Sequence, residues 1–151
     1  MKKLLSLLAL AMVSVAALPV QAATATGNFD VNISLTSACI YTQTSDVSFS
    51  YTSFQASAQA QSTAGAFTVK CTNLLPYTLA LDAAGSYTDA AVNLSYTLAL
   101  SAAGGIGNGA AQTYSVTGLI PANQAGNCVT LGGACNNSTS SNKQRTLTIT
   151  Y

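Results

Sequence analysis

Histidine and tryptophan are absent from this 151-residue chain, and charged residues make up only 6% of it. Without histidine, the side chain used most often for proton transfer is missing. The four carboxylates form no paired motif, and the many serines come with neither a G-x-S-x-G elbow nor a base to activate them. The composition therefore predicts a protein that is not an enzyme and that holds no cofactor or metal.

Only one long apolar run is present, and it lies at the N-terminus. Lys2 and Lys3 precede an apolar stretch over 4–17, and Val20-Gln21-Ala22 places small residues at the −3 and −1 positions of a cleavage site. This pattern predicts a secretory signal peptide over residues 1–22. A membrane anchor is the alternative, but the run is short for a span and ends at the cleavage site.

Charge is scarce in the remainder of the chain. After residue 22, three basic residues stand against four acidic ones, which gives a net charge of −1. This balance provides neither a basic face for nucleic acid nor a polybasic patch for an anionic membrane. It also leaves little charge repulsion against self-association.

Four cysteines follow the signal peptide, and an even number in an exported chain predicts disulfides. Three pairings are possible, and we favour Cys39–Cys71 together with Cys128–Cys135. The second pair brackets VTLGGA, whose two glycines suit a tight turn. The first would close a loop of about 33 residues and contribute roughly 3–4 kcal/mol. A four-cysteine zinc site is the alternative, but the chain has no CxxC spacing.

The rest of the chain is predicted to be all-β. Its apolar runs alternate or are rich in β-branched and aromatic residues, and clusters of Gly, Asn and Ser separate them. These runs are NFDVNISL (28–35), VSFSY (47–51), AFTVKC (66–71), YTLALD (77–82), VNLSYTLAL (92–100), YSVTGLI (114–120) and RTLTITY (145–151). We interpret 54–66 as a loop or weak strand, and 101–113 and 136–144 as loops. Short antiparallel strands at this spacing favour a β-sandwich with Greek-key connections.

The two ends of this β region are unusual. Residues 28–35 alternate without a fault, so that Phe29, Val31, Ile33 and Leu35 share one face and need a core to enter. The closing strand alternates up to Tyr151 itself, whereas terminal residues commonly fray. A sandwich that stops early leaves an open edge that favours association.

In the order and spacing of several segments, the chain resembles the spore coat protein U domain family of archaic chaperone–usher pilins. The segments are the alternating run before Cys39, FTVKCTNLLPYTLALDAAG around Cys71, LSYTLAL, YSVTGLIPANQAG and the closing TLTITY. Many members carry a Gly-Tyr-x-Asp stretch before the last strand. In its place this chain has GNCVTLGGACNNSTSSNKQ.

The resemblance implies an incomplete immunoglobulin-like sandwich that lacks its last strand and is completed by a donor strand. A periplasmic chaperone lends a strand first, and at the outer-membrane usher the N-terminal segment of the next subunit replaces it. Residues 23–36 would be this donor segment, inserting Phe29, Val31, Ile33 and Leu35, and 37–151 would be the pilin domain. The residues expected at the groove edge and chaperone contact are Leu147, Ile149 and Tyr151. A Cys39–Cys71 bond would tie the early strands.

The implied function is that of a structural subunit of a cell-surface fimbria that supports adhesion or biofilm formation. Two alternatives remain at this point. In the first, residues 28–35 are the first strand of a complete, secreted, monomeric coat protein. In the second, the chain is a surface-binding adhesin, although adhesin tips usually carry an additional domain before the pilin domain.

Overall fold

The computed structural model describes residues 23–83 and 85–151, so the predicted signal peptide lies outside the described residues. The chain divides into two units, the first ending at Ser34 and the second spanning Leu35–Tyr151. In the first unit, residues 23–34 form no strand or helix and are exposed throughout.

The second unit is all-β, and no helix occurs among its described residues. Its nine strands are β1 (Cys39–Ser45), β2 (Gln59–Ala60), β3 (Gly65–Cys71), β4 (Pro76–Leu81), β5 (Ser86–Thr88), β6 (Ser95–Leu100), β7 (Gly104–Ile106), β8 (Gln112–Ile120) and β9 (Leu147–Thr150).

The strands form two antiparallel sheets. The larger has the order β1-β3-β8-β6-β5, with β2 paired to β8, and the smaller has the order β7-β4-β9. Consecutive strands β3 and β4 lie in different sheets, so the chain crosses between layers as in a Greek-key sandwich. The predicted all-β sandwich of antiparallel strands is confirmed.

The closed part of the core lies between β3 and β8 on one side and β4 on the other. Phe67, Val69 and Tyr114 of the larger sheet pack with Tyr77 and Leu79 of the smaller one. Each of these residues alternates with a more exposed neighbour along its strand, as a half-buried sheet requires. Burial, reinforced by a hydrogen bond to Tyr114, raises the pKa of Tyr77 to about 12.

Both disulfides that the sequence favours are present. Cys39 and Cys71 are bonded, and they also lie opposite each other in the β1–β3 ladder. Cys128 and Cys135 close a short loop between β8 and β9. The alternative zinc site is therefore wrong, because all four sulfurs are used in these two bonds.

Residues 28–35 form no strand among the described residues, so their role as a strand in another copy stays a prediction. Two other element predictions were wrong. Residues 47–51 alternate in burial, but only Ser48 makes a β-bridge, with Thr63. The strand predicted at 92–100 begins only at Ser95, because Asn93 takes a positive φ of 50° and turns the chain.

Three strands were missed, among them β7, in a stretch predicted to be a surface loop. Gly104 has a φ of 149°, and a Cβ there would overlap the Tyr77 carbonyl oxygen. Glycine therefore allows β7 to approach β4 closely enough to pair. The other two missed strands, β1 and β5, lie at the edges of the larger sheet, where a strand packs against few neighbours and needs little apolar patterning.

Candidate functional site: a groove between two free strand edges

Two strands have a hydrogen-bonding neighbour on one side only and border the same opening. β1 ends the larger sheet and pairs with β3, while β9 ends the smaller sheet and pairs with β4. The outer edges of β1 and β9 have no ladder partner within the described residues. Such edges present rows of N–H and C=O groups on which a further strand can pair.

A groove of about 750 Å³ runs between the sheets from these edges. Its walls include Tyr41, Gln43 and Ser45 of β1, Phe67 of β3, Tyr96 and Leu98 of β6, and Leu147 of β9. The segment 46–51 forms part of the wall, and so do residues 135–137 and 143–146 of the β8–β9 connection. The groove therefore contacts both sheets and the loop that leads into β9.

The groove exposes side chains that a finished sandwich would bury. Phe49, Leu94, Tyr96 and Leu147 are only half-buried, and Tyr41 is 46% exposed. Phe49 and Tyr96, which both line the groove, pack at 5.8 Å between ring centroids with their planes tilted by 49°. Apolar surface left open in this way favours an occupant that presents apolar side chains.

One end of the groove, beside the start of β9, is polar. Arg145 lines it, its Nη1 lies 3.6 Å from Asp82 Oδ2, and its guanidinium stacks at 4.8 Å over the Tyr87 ring. The Arg145 Nε and Tyr87 Oη atoms are buried and have no hydrogen-bond partner among the residues that the structure describes. Burial, followed by the nearby Asp82 carboxylate, raises the pKa of Tyr87.

Asp89 anchors the wall at this polar end. It is 3% exposed and accepts hydrogen bonds from Ala91 N (2.9 Å), Val92 N (3.1 Å) and Asn137 Nδ2 (2.9 Å). Burial alone would raise its pKa, but these donors outweigh it and lower the pKa below the usual 3.8. The carboxylate thus ties the β8–β9 connection to the turn before β6.

Asn142 reinforces the same anchor. Its Nδ2 donates to the Thr88 carbonyl oxygen at 2.7 Å, and its Oδ1 accepts from Ala90 N at 3.1 Å. Together with Asp89, these bonds hold the polar 136–144 loop against β5. The part of the groove wall that precedes β9 in the sequence is thereby fixed in place. The sequence predicted the loop but not this role, because single Asn residues in a Ser- and Asn-rich segment have no distinguishing pattern.

The residues predicted for the groove edge lie in different environments. Leu147 lines the groove, and both it and Ile149 are half-buried against the core cluster. Tyr151 follows the end of β9 and is 57% exposed. Sequence reasoning missed the opposite edge, formed by β1, whose sequence CIYTQTS has no clear alternation of apolar and polar residues.

The predicted donor residues are exposed in the chain by itself. The exposed fraction is 86% for Phe29, 71% for Val31, 87% for Ile33 and 81% for Leu35. Full burial of a large apolar side chain contributes roughly 1.5–3 kcal/mol relative to leaving it in water. The four side chains at alternating positions lack this stabilisation while they are exposed. Their pattern is that of a strand face, although they form no ladder with any other described residue.

No group of three or more metal-ligating side chains occurs in the described part of the chain. Among the same residues, no helix is long and apolar enough to cross a membrane. What the groove offers is hydrogen bonding from strand edges and apolar contact, which suits recognition of an extended peptide segment.

The family model of the Spore Coat Protein U domain matches residues 25–97. The chain carries a spore coat protein U domain. The resemblance drawn from the sequence is thus confirmed, over a match that includes β1 to β5 and ends within β6. The spore coat protein U family comprises structural pilus and coat proteins of chaperone–usher systems. No curated protein and no solved structure matches the chain.

Proposed function

We propose that this spore coat protein U protein is a structural subunit of a chaperone–usher fimbria and polymerises by donor-strand exchange. The observation that carries the proposal is the open groove between the free edges of β1 and β9, with apolar side chains exposed along it. The segment that fills this groove is residues 23–36 of another copy, and the receiving domain is 37–151.

A strand is the occupant that best fits this groove. Its backbone would continue the smaller sheet beyond β9, and its inward side chains would cover Tyr41, Phe49 and Leu147. A single added strand would thus form hydrogen bonds with the unpaired N–H and C=O groups of the free edge and complete the apolar contacts. Neither a small ligand nor a flat surface would do both.

Residues 28–35 suit this role because only one of their two faces is apolar. The four donor side chains span six residue steps, or about 20 Å at roughly 3.3 Å per residue. β9 has four residues, or about 10 Å over three steps. A donor strand would therefore extend past β9 along residues 143–146, which also line the groove.

The orientation of the donor follows from the sheets. Every pair of strands is antiparallel, so we expect the donor to run antiparallel to β9. Leu35 would then lie near the start of β9 and Phe29 near Tyr151. The register within that orientation is open, since a slip of two residues preserves the inward face.

The family also suggests partners and a route. We propose that a periplasmic chaperone holds the subunit along Leu147, Ile149 and Tyr151, that an outer-membrane usher exchanges it for the next donor segment, and that the fimbria supports adhesion or biofilm formation at the cell surface. The predicted signal peptide over 1–22 is consistent with export to the periplasm.

The proposal is tested by moving residues 23–35, through a flexible linker, to follow Tyr151. The rearranged chain is expected to be a stable monomer, because its own strand fills the groove, whereas deletion of 23–35 without reinsertion should abolish polymerisation. The matched control carries Val31→Ser and Ile33→Ser in the moved segment and should lose the gain in thermal stability. A rearranged chain that still polymerises, or a deletion variant that forms fibres, would contradict donor-strand exchange.

A further inference from the structure

The disulfide-closed loop Cys128–Cys135 carries two aliphatic side chains that the described part of the chain leaves uncovered. Val129 and Leu131 are fully exposed. The disulfide closes the loop at its base, and Gly133 N donates to the Thr130 carbonyl oxygen at its tip. Residues 90–142, which include this loop, contain no charged residue. The loop is therefore an uncharged projection with an aliphatic tip.

The base of this loop lies at the end of the groove where β9 begins. Asn127 N donates to the Val92 carbonyl oxygen at 2.6 Å, and Cys135 lines the groove together with Asp89 and Leu147. We call this end of the domain its head.

The opposite end, which we call the tail, also exposes aliphatic side chains. Leu74 is 78% exposed and Ile106 is 61% exposed. The two belong to adjoining turns, because Leu74 N donates to the Gly107 carbonyl oxygen at 2.7 Å and Ile106 lies opposite Pro76 in the β4–β7 ladder. Ala38 N donates to Thr72 Oγ1 at 2.9 Å, so the chain enters β1 from this same end.

The proposed donor orientation brings a tail against a head. If a donor runs antiparallel to β9, its Leu35 lies at the head of the accepting copy. Four residue steps separate Leu35 from Cys39, a reach of at most about 14 Å. The tail of the donating copy is therefore held next to the loop of the accepting copy.

We propose that Val129 and Leu131 of each subunit pack against Leu74 and Ile106 of the subunit that donates its strand to it. This contact rests on the proposed function, and its partner is a second copy of this chain. It joins two different surfaces, so it repeats from copy to copy along an open fibre instead of closing a dimer. It gives successive subunits a second contact in addition to the strand and limits their rotation about the short connection.

The test places the photo-crosslinking amino acid p-benzoylphenylalanine at position 131 of the full chain and irradiates assembled polymers. Mixing isotopically heavy and light chains identifies crosslinks between copies by mass spectrometry. Leu131→p-benzoylphenylalanine should crosslink to residues 72–76 or 104–109 of another copy. The double change Leu74→Ser and Ile106→Ser in the partner chains should abolish these products.

The matched control is the same probe at Leu119, which is 43% exposed on β8 and belongs to neither proposed surface. This probe should give no product with residues 72–76 or 104–109. A probe at Ile33 tests the underlying function separately and should crosslink to groove residues of another copy. If the probe at 33 crosslinks but the probe at 131 gives no product at the tail, the head-to-tail contact is refuted while donor-strand exchange stands. If the probe at 33 also fails, the proposed function falls with it.

Discussion

Truncation of the Ile33 side chain distinguishes between two roles of the N-terminal segment, a donor strand or a dispensable extension. The side chain is 87% exposed in the chain by itself, and a change at so exposed a position ordinarily alters stability by no more than about 0.5 kcal/mol. If Ile33 is buried in the groove of a neighbour, Ile33→Ala should instead cost about 2–5 kcal/mol of subunit–subunit free energy. That range corresponds to a roughly 30- to 4000-fold weaker association.

The assay measures polymer dissociation across a guanidinium titration by size-exclusion chromatography, and the shift of the midpoint times the slope gives the change in free energy. Asn32→Ala is the matched control, because the adjacent side chain points away from the groove in any register that buries Ile33. We expect a large shift for Ile33→Ala and almost none for Asn32→Ala. Equal midpoints for the two variants would refute the donor role. A lowered melting temperature of the isolated Ile33→Ala subunit would indicate that the segment packs into its own domain.

Two further predictions concern the receiving domain. The double substitution Cys39→Ser and Cys71→Ser should lower its stability by roughly 3–4 kcal/mol, because a loop of this size is no longer closed in the unfolded chain; a melting temperature unchanged by the substitution, measured on the strand-complemented monomer, would contradict this. Because the folded pKa of Asp89 lies below its usual 3.8, the carboxylate stabilises the fold above that pH and the contribution is lost as the pH falls through the folded value. Asp89→Asn should therefore flatten the fall in melting temperature between about pH 5 and pH 2, and a variant that follows the wild-type curve would show that the carboxylate does not anchor the loop.

Most of the strands could be predicted because their patterns are local. In β3, β4, β8 and β9, apolar side chains alternate with polar ones, and the alternation alone identifies both the strand and its inward face. The even number of cysteines also predicted two disulfides, and the structure contains the favoured one of the three possible pairings. The edge strand β1 was missed because its outer residues are mostly exposed and its inner face borders an open groove, so the pattern is weak.

The groove and its polar end could not be predicted from the sequence. Arg145, Asp82 and Tyr87 are brought together only by the pairing of β9 with β4 and the approach of β5. The same holds for Asp89 and Asn137, which are 48 residues apart. Contacts between such distant residues depend on which strands pair, and a local pattern carries no information on that pairing.

The sequence by itself determined that the chain is all-β, that its cysteines form two disulfides, and that residues 28–35 carry an apolar face that needs a core. Each of these follows from composition or from a period of two along the chain. Only the tertiary structure decided that β1 and β9 end their sheets at a common opening and that residues 28–35 pair with no strand in the part of the chain that the structure describes. The physical reason is that an edge is defined by the absence of a neighbour in space.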